Sequence, residues 1–199
     1  MKFQLFATLL LACGIMTLGS CHGKSGVSAD NDSTVVENSD SAMAMQPLTI
    51  VDVVDNYLVE EFGKQYAQAD VCIPLSTVIA TDESDEQDIK VWGDFWVFNY
   101  QIAGDTLKTA SGGSHPGLIH MKKTDKGYEV TGFDQVGDGS QYTPTAKKIF
   151  GNKFEEFQKI NSNDKGREQK RAEGIAQYVK KHGIKVAMYQ DYGWPAVKL

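Results

Sequence analysis

The chain has 199 residues, with 26 acidic side chains against 20 basic ones and a formal net charge of −6. This acidic balance, without a basic patch along the sequence, argues against nucleic acid and against anionic lipid surfaces as partners. The acidic run at residues 82–88 is most simply a solvated loop. Neither the histidines nor the cysteines are spaced as ligands of one metal ion.

The N-terminus has the parts of a secretory signal peptide: a positive charge at Lys2, an apolar run over residues 5–17 and small residues before Cys21. The apolar run is too short to cross a bilayer as a helix, which takes about 20 residues. Because Leu-Gly-Ser-Cys at residues 18–21 forms a lipobox, we predict that residues 1–20 are removed as a lipoprotein signal peptide. Cys21 then carries a palmitate-type lipid anchor, whose acyl chains hold the protein to a membrane.

The predicted lipid anchor places the protein in the cell envelope. His22 rather than an aspartate follows Cys21, and this favours the outer membrane over the inner membrane. Residues 21–46 combine the lipidated cysteine with a segment too poor in large apolar residues to fold, so they predict a disordered tether. Residues 47–199 hold nearly all the aromatic residues and predict a single globular domain.

The first elements predicted within the domain are a helix and a central strand. Thr49 is placed as the helix N-cap, and apolar residues at spacings of three and four continue to about Gln68. Residues 71–79 are apolar and β-branched but contain Pro74, so they predict a connector with an extended or short helical piece. Residues 89–102 are the strongest strand, and apolar side chains on both of its faces place it centrally in the sheet.

The following residues predict a consecutive antiparallel meander. A hairpin turn at Gly104 leads into a strand over residues 106–110, and the glycine-rich stretch 112–117 is predicted to form a loop. Two further strands, with a hairpin turn between them, are predicted at residues 118–122 and 128–136.

The C-terminal part has helical patterns. A short helix is predicted with Pro144 in its first turn, a second amphipathic piece around Phe157, and a longer helix over residues 164–182 that ends before Gly183. Residues 184–189 predict a final strand. This order of elements predicts an α+β fold, in which N-terminal and C-terminal helices cover a curved antiparallel meander sheet in a cone-like shape. The order resembles the nuclear-transport-factor-2-like, or cystatin-like, superfold.

Three local motifs occur in one order, Ser-Gly-Gly-Ser-His-Pro at 111–116, Lys-Gly-Tyr-Glu-Val at 126–130 and Gly-Asp-Gly-Ser at 137–140, before a helix that contains Lys-Lys-Ile-Phe at 147–150. Together they resemble a domain of bacterial envelope lipoproteins and of the extracytoplasmic parts of some membrane sensor-peptidases. Phe-Asp-Gln at 133–135 stands where that family usually has Trp-Glu-Pro. The resemblance implies an envelope accessory domain and supplies no catalytic activity.

One set of polar residues is a candidate for chemistry. Asp94 falls among aromatic residues on one face of the central strand, and His120 and Asp134 fall on neighbouring strands. If these faces coincide, a carboxylate and an imidazole share an apolar cleft that suits proton transfer, as in cone-fold isomerases and dehydratases. His115 and His120 are five residues apart, which places them on opposite faces of a strand and argues against a shared metal ion.

Two functions therefore stay open. The first is a non-catalytic binding module that holds a small apolar ligand or an envelope protein. Four aromatic residues of the central strand would line its cleft or simply fill the core: Trp92, Trp96, Phe98 and Tyr100. The second is a proton-transfer enzyme that uses Asp94 and His120, with Asp134 nearby. No cofactor and no metal ion is expected for either function.

Overall fold

A computed structural model describes residues 47–199, so the predicted signal peptide 1–20, the lipidation site Cys21 and the tether 21–46 lie outside the described residues. The described elements, in chain order, are α1 Ile50–Glu61, β1 Val71–Asp82, β2 Ile89–Ala103, β3 Thr106–Thr124, β4 Gly127–Gln135, α2 Tyr142–Phe150, α3 Phe154–Asn161, α4 Asp164–Lys181, β5 Met188–Gln190 and β6 Val197–Lys198. None of these helices combines the length and apolar character needed to cross a membrane.

The six strands form one open sheet in the order β1-β2-β3-β5-β6, and β4 pairs with the far end of β3. Strands β1 to β4 are consecutive and antiparallel, as the meander prediction requires. β5 runs parallel to β3, so the prediction of a wholly antiparallel sheet is wrong. β4 occupies this edge of β3 only from Gly117 to Thr124, and after α2 to α4 the chain returns to the free part at Thr106–Lys108, where β5 runs opposite to β4 and therefore parallel to β3. The α+β class and the helix-covered sheet are confirmed.

Helix α1 begins where the sequence predicts but ends earlier. The Thr49 side chain accepts a hydrogen bond from the Asp52 backbone, and the Asp52 carboxylate accepts one from the Thr49 backbone, which together make a capping box. The helix ends at Glu61 and a short 3-10 turn, Gly63–Gln65, follows it. The Gln68 amide donates to the carbonyls of Gly63 and Tyr66, and such local side-chain bonds compete with a continued helix.

Two other segments differ from the sequence-based prediction because of the strands with which they pair. The predicted connector 71–79 belongs to β1, which is a strand at the edge of the sheet. Pro74 is accommodated there because an edge strand needs hydrogen bonds on one side only. The predicted final strand is also shifted, since β5 begins at Met188 and pairs with the start of β3.

The glycine-rich stretch 112–117 continues β3, so the prediction of a loop there is wrong. Its residues pair with β2 from Phe98↔Gly112 to Gly93↔Gly117. Gly112 has a φ of 138°, and a Cβ at this position would lie 2.4 Å from the Val97 carbonyl oxygen. The glycine therefore permits a close approach of two strands, and the sequence alone does not distinguish such a glycine from a glycine in a loop.

β2 is buried on both faces, which confirms its predicted central position. Helix α1 covers one face, where Val54 and Leu58 pack against Val91, Phe95 and Val97. Helices α2 to α4 cover the other face, where they pack on the aromatic residues of β2. The site residues predicted from the sequence lie on this second face: Asp94, His120, Asp134 and the four candidate aromatic residues of β2.

Candidate functional site

Asp94 lies at the centre of the sheet face that α4 covers, and only 2% of it is exposed. Ser114 Oγ of β3 donates a hydrogen bond to Asp94 Oδ1 at 2.5 Å. Arg167 Nη2 of α4 lies 3.3 Å from Asp94 Oδ2. A buried carboxylate is costly unless its charge is paired, and here both oxygens have a partner. The arrangement holds Asp94 as a structural group with a partner on each oxygen.

Arg167 covers Asp94 and limits the space beside it. Its guanidinium carbon lies 4.7 Å from the centre of the Trp96 ring, and its Nη1 donates to the Asn161 carbonyl at 3.1 Å. The cavity lined by Asp94, Trp96 and Arg167 measures about 20 Å³. That volume has room for about one water molecule and none for an organic substrate.

The structure brings His120 and Asp134 together but keeps both away from Asp94. His120 Nδ1 lies 2.6 Å from Asp88 Oδ1, and His120 Nε2 lies 3.6 Å from Asp134 Oδ2. His120 pairs with Lys90, four residues along β2 from Asp94. At about 3.3 Å per residue that is roughly 13 Å, which is too far for a shared proton.

The two histidines of β3 lie on opposite faces of the sheet, as their spacing predicts. His115 pairs with Phe95 on the α1 side, whereas His120 pairs with Lys90 on the side of α2 to α4. Among residues 47–199, no group of three or more His, Cys, Asp or Glu side chains is arranged to hold a metal ion.

The four candidate aromatic residues of β2 share one face but do not line an open cleft. Trp92, Phe98 and Tyr100 are buried, and Trp96 is partly buried. The Trp92 indole donates to the Ile149 carbonyl at 3.0 Å, and the Arg171 guanidinium lies 3.9 Å from the centre of the Phe98 ring. These aromatic residues are therefore packed beneath α2 and α4. Arg167 stacks on Trp96 and Arg171 stacks on Phe98.

Arg171 is the central residue of this face, and the sequence gives no clear sign of it. It is 8% exposed and forms a bidentate pair with Asp191 at 2.8 and 3.2 Å. It also donates to the Tyr100 hydroxyl at 3.3 Å and to Thr109 Oγ1 at 3.1 Å. Burial raises the pKa of Tyr100 to about 12, so its hydroxyl stays protonated. In the sequence, Arg171 is one of several basic residues along a helix. Only its spacing of four residues from Arg167 indicates that the two arginines lie on one face of that helix.

A wide groove lies near the C-terminal residues of the domain, and we call it the Trp194 groove. It measures about 540 Å³ and lies between α4 and the segment that follows β5; its lining residues are Lys165, Glu168, Gln169, Ala172, Tyr189, Asp191, Trp194, Pro195, Val197 and Lys198. Trp194 is 71% exposed, and Val197 is 45% exposed. The sequence pattern of residues 192–195 gives no indication of this surface.

The backbone around Trp194 is held by specific contacts. Tyr192 has a φ of 31° and Gly193 a φ of 84°, so two successive residues lie in the left-handed region. The Trp194 backbone N–H donates to the Asp191 carbonyl at 2.7 Å, and the Gln190 amide donates to the Trp194 carbonyl at 2.9 Å. Arg171 donates two hydrogen bonds to the Asp191 carboxylate. The segment that carries the exposed Trp194 indole is therefore connected through Asp191 to the buried core.

A second, polar opening is lined by Arg167, and we call it the Arg167 cleft. It measures about 300 Å³, and its lining residues are Ser114, Pro116, Gln135, Val136, Asp138, Tyr142, Asn161 and Arg167. Asn161 Nδ2 donates to the Tyr142 hydroxyl at 2.7 Å. β3, the end of β4 and the three C-terminal helices thus converge on one small polar space.

No protein family model, no curated protein sequence and no solved structure matches the chain. The function proposed below therefore follows from the residues and geometry of this molecule.

Proposed function

We propose that the chain is a lipid-anchored envelope protein whose cone-like α+β domain is a non-catalytic module that binds another protein. The lipobox at Cys21 and the motifs that resemble an envelope lipoprotein domain support the location. The outer membrane is the proposed site of the anchor. The domain contributes the binding surface, and the tether gives it reach from the membrane.

The observation that carries this proposal is the exposed Trp194 groove. A monomeric surface rarely leaves a tryptophan 71% exposed beside an apolar groove, and tryptophan is enriched among the residues that dominate protein interfaces. Small-molecule sites usually bury most of their ligand. A groove whose Trp194 and Val197 walls remain so exposed fits a protruding side chain of a partner protein better than a small apolar ligand.

The charges around the groove define the partner's chemistry further. Lys165, Glu168 and Lys198 line it, whereas the Asp191 charge is neutralised by Arg171. The rim therefore carries a net positive charge on a chain whose net charge is −6. The complementary partner presents an apolar side chain flanked by carboxylates.

The proton-transfer alternative lacks a comparable observation. Such an enzyme needs substrate space beside its base, and the cavity beside Asp94 measures about 20 Å³. Asp94 is also paired with Arg167, and the His120 imidazole contacts Asp88 and Asp134 instead. The binding module is therefore the function that we propose.

Site-specific photo-crosslinking in intact cells tests the groove. A photoreactive residue replaces Gln169, which lines the groove, and the matched control replaces Asp125 in the exposed turn before β4. We expect a discrete adduct from position 169 that disappears in a Trp194→Ala background, and none from position 125. An adduct that persists without the indole, or equal labelling from both positions, would contradict the proposal.

A separate experiment tests the anchor. Cells are labelled with a palmitate analogue that carries a detectable tag, and the wild-type chain is compared with Cys21→Ala. We expect label on the wild type and none on the variant, because Cys21 is the proposed acceptor thiol. Equal labelling of the two proteins would contradict lipidation at Cys21 and would leave the test of the groove unaffected.

A further inference from the structure

We propose that the Arg167 cleft is a second binding site, which takes a neutral, hydroxyl-rich ligand of monosaccharide size. The cleft does not share the Trp194 groove's exposed apolar walls, so the proposal stands apart from the partner-binding function. Its volume of about 300 Å³ lies at the lower end of the range for small-molecule sites, roughly 300–1,000 Å³.

The first reason is that Arg167 is fixed in place before any ligand binds. Its Nη2 is held by the buried Asp94 carboxylate, its Nη1 by the Asn161 carbonyl, and its plane lies over the Trp96 ring. A guanidinium has five N–H donors, and these contacts do not use all of them. A donor that is already oriented loses little entropy when a ligand hydroxyl accepts from it.

The second reason is that the other lining groups offer both donors and acceptors. The Tyr142 hydroxyl oxygen accepts from Asn161, which leaves its proton for a ligand oxygen. Burial raises the pKa of Tyr142, so this hydroxyl remains a donor at neutral pH. The Gln135 amide nitrogen lies 3.1 Å from His115 Nδ1, which leaves the amide oxygen as an acceptor. Hydroxyl groups of a ligand both donate and accept, and they match this mixed set.

The third reason is the charge of the cleft. The positive charge of Arg167 is balanced by Asp94, and Asp138 adds a negative charge to the lining. An anionic ligand such as a phosphate ester would meet that uncompensated carboxylate, whereas a neutral ligand would not. The Tyr142 ring, which is partly exposed in the cleft, adds an apolar surface on which the carbon face of a sugar can pack.

Ligand-detected saturation-transfer NMR on the full-length protein in detergent micelles tests this site. The probes are glucose, galactose and N-acetylglucosamine, with glucose 6-phosphate as the anionic comparison. We expect saturable millimolar binding of at least one neutral sugar and at least about tenfold weaker binding of its anionic counterpart. Tyr142→Phe removes one hydrogen-bond donor and should weaken binding about tenfold.

Two matched variants keep the outcome interpretable. Tyr128→Phe removes a hydroxyl near the start of β4, outside the cleft, and should leave binding unchanged. Trp194→Ala alters the other groove and should also leave it unchanged. The proposal is overturned if no neutral sugar binds, if Tyr142→Phe binds as well as the wild type, or if Trp194→Ala abolishes binding.

Discussion

The two faces of β2 bury polar residues of different kinds. On the face covered by α1, the buried polar residues are neutral: Asn99, which donates to the Gly63 carbonyl at 3.0 Å, and His115, whose Nε2 lies 3.1 Å from the Tyr66 hydroxyl oxygen. On the face covered by α4, they are charged: Asp94 and Arg171. A neutral group needs only hydrogen bonds when it is buried, whereas a charge also needs an opposite charge.

The two faces of β2 therefore have different roles: one forms the apolar interior, and the other positions surface openings. The α1 face is an apolar interior that α1 and the strands complete between themselves. The charged face requires partners from distant segments, because Asp94 is paired with Arg167 of α4 and Arg171 with Asp191 after β5. Those pairs border two openings of the described domain, since Arg167 lines the Arg167 cleft and Asp191 lines the Trp194 groove. The charged face therefore orients the surfaces to which we assign binding.

The largest effect on stability is expected on the apolar face. Phe95 is fully buried between α1 and the sheet, so Phe95→Ala removes a large side chain and leaves a cavity. We expect a loss of about 3–5 kcal/mol in the free energy of unfolding, measured with urea. Ile102→Ala, at a position that is 41% exposed, is the control and should change it by less than about 1 kcal/mol. Similar losses for the two variants would mean that the α1 face is not the main apolar interior.

The next effect is expected from Arg171→Met, which leaves the Asp191 carboxylate without its partner. Breaking a buried pair in this way should cost about 3 kcal/mol in the free energy of unfolding. The second substitution Asp191→Asn, made in the Arg171→Met background, should restore part of the loss because it removes the unpaired charge. Without any recovery in the double variant, the pair would not be what stabilises this face.

A smaller loss is expected from Asp94→Asn, which keeps the shape of the side chain but removes the charge that Arg167 pairs with. Hydrogen bonds to a charged group are worth about 2 kcal/mol, so we expect a decrease of that size by urea unfolding. Asp134→Asn, whose side chain is 68% exposed, is the matched control and should be nearly neutral. An unchanged stability in Asp94→Asn would remove the structural role assigned to this carboxylate.

The smallest expected effect is the pH dependence of stability that His115 contributes on the face covered by α1. Burial lowers the pKa of His115 below its ordinary value of about 6.5. The unfolded chain therefore takes up a proton as the pH falls below about 6.5, while the folded chain does not until the pH reaches the lower folded pKa. The stabilisation is complete above about pH 6.5 and is lost between those two pKa values.

Urea unfolding of the wild type and of His115→Gln at about pH 7.5 and about pH 5 measures this dependence. We expect the wild type to lose more stability on acidification than the variant, because the variant has no imidazole at this position to protonate. An equal loss in the two proteins would assign the pH dependence to other groups.

Much of the fold follows from local patterns. The two apolar faces of β2, the Gly104 and Gly127 turns and the Thr49 cap are each specified by residues within a few positions of one another. The same local reading is wrong for residues 112–117. Glycines are typical of loops, and only the pairing with β2, about 20 residues away in sequence, shows that these are strand residues.

The candidate site was predictable only in part. Asp94 and the aromatic residues share one face because alternation along a strand has a period of two. The sequence could not show that Arg167 and Arg171 cover this face, since Arg171 and Tyr100 are 71 residues apart. It also could not show that His120 lies too far along β2 to meet Asp94. Distances along a strand depend on the register of pairing, which no local pattern sets.

The sequence by itself therefore determined the α+β class and the central position of β2, and it predicts lipidation at Cys21. Each of these depends on short-range periodicity or on a contiguous motif. Only the tertiary structure decided the parallel pairing of β5, the closure of the aromatic face and the position of Trp194 at an open groove. These features depend on which distant segments of the chain come into contact. The ion pair between Arg171 of α4 and Asp191, which follows β5, neutralises a buried charge and holds two of these segments together.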